Sequence, residues 1–139
     1  QPGVREMDDI AREIRRLGAE GYCCSQIMVK MGLDAQGDDN FELLDAMAGL
    51  CGGLYSGLCC GTLTGAACLL SLYDKERARF MIPQLVRWFS DTWTSRYGGV
   101  DCEKIIDGNQ VNRMERRPVI MVETFQKCRE LLRECGYEI

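Results

Sequence analysis

The sequence predicts an all-α fold: a single compact domain of about six to seven helices, with a glycine- and cysteine-rich loop-to-helix segment in its core. Apolar residues recur three and four positions apart along most of the chain, and no stretch of useful length alternates as a strand would. Glycine, proline and acidic residues fall between the periodic segments, where helices start and stop. Neither an internal repeat nor a linker interrupts the pattern, so one domain over residues 1–139 is expected.

Met7, Ile10, Ala11, Ile14 and Leu17 form one face of a first helix that ends near Gly18 to Gly21. A second helix runs from about Tyr22 to Met31. Asp38, Asp39 or Asn40 can cap a third, carrying Phe41, Leu44, Met47, Ala48 and Leu50 before the Cys51-Gly52-Gly53 break. The fourth is expected from about Cys59 to Tyr73. A fifth, from about Lys75 to Tyr97, places Phe80, Met81, Leu85, Trp88, Phe89 and Trp93 inward, holds Pro83 as a kink or N-terminal position, and stops at Gly98-Gly99. A short helical turn over 101–106, a polar loop at Asp107-Gly108-Asn109 and a last helix from about Pro118 to Cys135 complete the chain. Val122, Phe125 and Leu132 face inward on that last helix.

Composition removes several function classes. Nine cysteines and no histidine occur in 139 residues, so Cys-His and Ser-His-Asp catalysis and every histidine-containing metal set are excluded. A net charge of -4, without a basic stripe, argues against nucleic acid as a partner. From Ala46 to Tyr73 no residue is charged, yet the glycines and the Tyr55-Ser56-Gly57 break divide this stretch into two short buried helices; stable membrane insertion is not expected. An odd cysteine count without a secreted framework's rhythm, and no leader-like segment before Val4, point to a reducing, cytoplasmic setting.

The thiols are placed where they matter. Cys24, Cys60 and Cys102 lie in or just before the first turn of a helix, and Cys128 lies within the last one. Unpaired N–H donors at a helix start lower a thiol's pKa and equally stabilise an anionic metal-thiolate or iron-sulfur cluster. Gly57 and Gly61 let the backbone approach a sulfur or cofactor closely, and are the candidate cofactor-binding positions; Gly61 and Gly65 also form a small-residue face suited to close helix packing. Cys68 and Cys135 read as core thiols, whereas Cys51 can be an additional ligand or a resolving thiol.

Cys60-Gly61-Thr62-Leu63-Thr64-Gly65, preceded by Gly52-Gly53, resembles the central segment of the redox-active C-GCAxxG-C-C family. Tyr22-Cys23-Cys24-Ser25-Gln26 is similar to its Asn-Cys-Ala-Gln segment, Tyr97-Gly98-Gly99-Val100-Asp101-Cys102 to its Phe-Gly-x-x-x-Cys segment, and Lys127-Cys128 to its last cysteine. Thr62 stands where the family has Ala, and Cys23 where it has Asn. Carried over, the resemblance implies that Cys24, Cys60, Cys102 and Cys128 form one redox site.

Two mechanisms suit such a quartet: electron transfer through an iron-sulfur cluster, the possible cofactor, or dithiol–disulfide exchange. A structural four-cysteine zinc site and a non-catalytic helical partner-binding module are the alternatives. Enzymatic activity as an oxidoreductase and service as an electron carrier both stay open. The expected partners are a redox partner protein and, as an open alternative, a second copy of the chain in a homodimer.

Overall fold

The computed structural model describes residues 2–99 and 110–139, excepting the side chains of 2–4 and 110–114. The expected helical turn over 101–106, the loop at 107–109 and Cys102 therefore lie outside the described residues. Within them the chain forms six α-helices and no strand, an all-α single domain.

Helix α1 (Pro2–Ala19) buries Ile10, Ile14 and Leu17 against α6 (Gln110–Glu134), whose inner side carries Ile120, Met121, Phe125, Leu131 and Leu132. Helix α2 (Cys24–Gln36) continues beyond the expected Met31, because Met31 and Leu33 extend its buried face by another turn. It stops at Gly37, which adopts a left-handed φ of 72° and donates its N–H to Asp34.

Asn40 is the cap of α3 (Phe41–Met47): its Oδ1 accepts the Leu43 N–H at 3.0 Å. Asn40→Ala is expected to lower the unfolding free energy by about 1 kcal/mol, which urea titration would register. Phe41, the first residue of α3, is exposed, while Leu44 and Met47 are buried.

Helix α4 (Gly61–Tyr73) has buried side chains around most of its circumference, among them Leu63, Ala66, Leu69 and Leu70. A helix so apolar belongs in the middle of a bundle, and α4 packs on α2, α5 (Lys75–Tyr97) and α6. Asp74 caps α5 by accepting the Arg77 N–H, and Gly98 closes it with φ 81°.

Met81, Leu85, Phe89 and Trp93 point inward from α5 and Trp88 is half-buried, but Phe80 is 65% exposed, contrary to its expected place. Consecutive residues sit about 100° apart around a helix. Met81 takes the core side, which leaves Phe80 to solvent under the Arg79 guanidinium. A smaller apolar group of Val29, Leu33, Leu44 and Met47 joins α2 to α3.

Candidate redox site

The N-terminal end of α2 is tied down by its own side chains. The Cys23 N–H donates to Gln26 Oε1 at 3.1 Å, while Gln26 Nε2 donates to the Leu44 carbonyl at 2.9 Å. Ser25, wholly buried, donates its hydroxyl to the Met47 carbonyl at 2.8 Å. These contacts dock the end of α3 beside the start of α2. A 3₁₀ turn, Ala48–Leu50, then brings Cys51 opposite Cys23, and the two form a disulfide with Cα atoms 6.0 Å apart.

Beyond Cys51 the backbone runs left-handed through four residues, with φ 59° at Gly52, 60° at Gly53, 63° at Leu54 and 54° at Tyr55. Gly53 admits no side chain, since a Cβ there would lie 2.6 Å from the Leu58 nitrogen. For Leu54 and Tyr55 the conformation costs roughly 1–2 kcal/mol each, and both are exposed, at 50% and 75%. Gly57, at φ 71°, ends the turn and leads through exposed Leu58 and Cys59 to Cys60, the N-cap of α4.

Helices α2 and α4 meet at glycines. A Cβ on Gly61 would lie 3.3 Å from the Leu50 carbonyl, 3.5 Å from the Ser25 nitrogen and 3.7 Å from Cys24 Cβ; one on Gly65 would lie 2.8 Å from Ser25 Cα. The close approach permitted by Gly61 is thus to the backbone of α2 and of the preceding turn. Cys24 and Cys60 are brought near enough to interact electrostatically, beside the Cys23–Cys51 bond.

Cys60 lies at a helix start, but its pKa moves opposite to expectation. Burial, followed by the neighbouring Cys24, raises it from 9.0 to about 11, against the partial relief of the Thr62 and Leu63 N–H groups and the Thr62 hydroxyl. Desolvation of a thiolate outweighs the donors of one helix turn. The resulting stability contribution is complete below pH 9, where folded and unfolded chains both keep the proton, and is lost as pH rises to about 11. Cys60→Ser is expected to reduce the alkaline loss of unfolding free energy by about 3 kcal/mol over that window, as read from urea titrations at stepped pH.

Cys128 is also buried, its thiol donating to the Ala66 carbonyl at 3.9 Å, and burial holds its pKa far above the ordinary thiol value. Ala66 is six residues along α4 from Cys60, about 9 Å of helix axis. Cys68 and Cys135 are half-buried against the apolar clusters, the latter with its thiol on Met81 Sδ at 3.9 Å. Among the described residues no group of three or more cysteine or acidic side chains is disposed to hold a metal ion.

The resemblance nominates Cys24 of the early pair, and the sequence gives Cys51 as an additional ligand or a resolving thiol. The structure joins Cys23 to Cys51, a pairing for which the only sequence signals are a cysteine at a helix start and another before a double glycine.

The structure is thus a helical fold that carries a disulfide beside further thiols. Residues 22–137 match the family model described as "Putative redox-active protein (C_GCAxxG_C_C)", and the chain belongs to that family. No curated protein and no solved structure matches the chain. No helix among the described residues is long and apolar enough to cross a membrane.

Proposed function

We propose that the protein works by dithiol–disulfide exchange, with Cys23 and Cys51 as the exchanging couple and a redox partner protein as its counterpart. The observation that carries this is the Cys23–Cys51 disulfide, one sulfur on a half-buried residue and the other on a buried one, with Cys24 and Cys60 alongside. A thiolate of the partner attacks Cys23 Sγ, the S–S bond breaks, and Cys51 leaves as a thiolate. The partner's second thiolate then attacks its own sulfur in the mixed disulfide and releases Cys23. Two electrons pass from the partner's dithiol to this protein, the partner ends as a disulfide, and the thiolates take up protons according to their pKa values.

Cys24 and Cys60 form a second thiol pair behind the couple, and the raised pKa of Cys60 keeps it as the reserve thiol at neutral pH. Cys128 has a packing role in this scheme; Cys102 remains the further thiol that the family pattern nominates. A cytoplasmic setting suits a bond that is opened in each cycle, since glutathione and thioredoxin keep cytosolic thiols reduced. Thiol titration before and after mild reduction, with iron, sulfide and zinc analysis on the same anaerobic sample, tests the proposal. The expected result is a gain of two thiols, restored to a disulfide on reoxidation, without stoichiometric metal. Matching iron and sulfide would instead make a cluster the working centre.

A further inference from the structure

We propose that Ser25 is a catalytic residue of this exchange, its hydroxyl donating the hydrogen bond that stabilises the thiolate released when the Cys23–Cys51 bond opens. The proposal rests on Cys23 and Cys51 being the exchanging couple.

Ser25 Oγ lies 3.3 Å from Cys23 Sγ and 3.8 Å from Cys51 Sγ, so it touches both reacting atoms. Its hydroxyl donates to the Met47 carbonyl, 2.8 Å away. Anchoring α3 accounts for that bond but not for the placement of the oxygen against both sulfurs. The side chain is sealed from solvent, and α4 presses against its main chain at Gly61 and Gly65.

Exchange changes what the hydroxyl faces. In the disulfide both sulfurs are neutral and weak acceptors, and the Ser25 hydroxyl donates to the Met47 carbonyl. Attack on Cys23 places a full negative charge on Cys51 Sγ. A hydroxyl hydrogen needs only a torsional rotation to re-aim, and a hydrogen bond to an ion is roughly twice as strong as one to a neutral acceptor. When the partner's sulfur departs, Cys23 Sγ becomes the thiolate and lies within reach of the same hydroxyl. Among the described residues, the thiols of Cys24 on α2 and Cys60 at the start of α4 lie at this end, while α3 faces the hydroxyl with the Met47 carbonyl.

The test compares wild type with Ser25→Ala. Iodoacetamide alkylation of Cys23 and Cys51 in the reduced proteins is followed against pH by peptide mass, together with the rate at which dithiothreitol reduces the oxidised forms. Loss of the donor is expected to raise the alkylation midpoint by about one pH unit and to slow reduction roughly tenfold. Unchanged midpoints and rates in a variant whose wild-type parent reduces normally would overturn the role of Ser25 and leave it an anchor for α3. A wild-type protein whose disulfide does not reduce and re-form would instead overturn the exchanging couple, and Ser25 with it. Should Ser25→Ala fail to fold, the Ser25 ¹³Cβ resonance of the reduced wild-type protein is expected to titrate with the same midpoint as its thiolate partner; a flat profile would overturn the proposal.

Discussion

Cys23→Ser is expected to abolish the reversible gain of two thiols on reduction, and Cys51→Ser to do the same, because each leaves its former partner without a bridging sulfur. Both variants should also resemble reduced wild type in stability. The bond closes a loop between positions 28 residues apart, and releasing such a loop restores unfolded-state entropy of about 3–4 kcal/mol. Urea unfolding of oxidised wild type, reduced wild type and the two variants would show one stable protein and three weaker, similar ones. A two-thiol reversible change persisting in Cys23→Ser would shift the couple to Cys24 and Cys60. Helical circular dichroism should be largely retained, since most of the core lies on α1, α4, α5 and α6 away from the bond.

Gly65→Ala should weaken the fold and disturb the redox site together. Its Cβ would meet Ser25 Cα and the Ser25 carbonyl at 2.8 Å and Met28 Cβ at 3.1 Å. The first two are backbone atoms on a helix capped at both ends, so relief requires α2 and α4 to move apart. Overpacking of this kind costs about 1–3 kcal/mol, and it shifts Ser25 from its place beside the sulfurs. Gly18→Ala provides the control: beyond its chain neighbours and its own helix backbone, nothing lies within 4 Å of the added Cβ. The expected outcome is a lower melting temperature and altered dithiothreitol kinetics for Gly65→Ala, with neither change for Gly18→Ala. Equal behaviour of the two would show that the interface can absorb a methyl group and does not control the site.

Helix boundaries were legible where the signals are local. The limits of α5 at Lys75 and Tyr97 follow from Asp74 accepting an N–H at one end and Gly98 adopting positive φ at the other. The last helix begins earlier than Pro118 because a proline in a helix removes one hydrogen bond, which packing of the surrounding turns can offset. Phe80 was misplaced because periodicity identifies an apolar stripe without saying which edge of it a neighbouring helix covers. The left-handed run was hidden for a related reason: Gly52 and Gly53 announce positive φ, whereas Leu54 and Tyr55 do not favour it and adopt it within a turn whose ends are held.

The all-helical class, the thiol chemistry and the family anchors were determined by the sequence itself, since helical periodicity, a cysteine-rich chain lacking histidine and short motifs are properties of neighbouring residues. Tertiary structure decided the rest. Which of two adjacent cysteines meets Cys51, why a thiol at a helix start has a raised pKa, and how a serine comes to lie against two bonded sulfurs depend on residues distant in sequence. The packing of α4 against α2 at two glycines and the docking of α3 through Ser25 and Gln26 bring them together. Burial sets the pKa there, and burial is a property of the assembled helices.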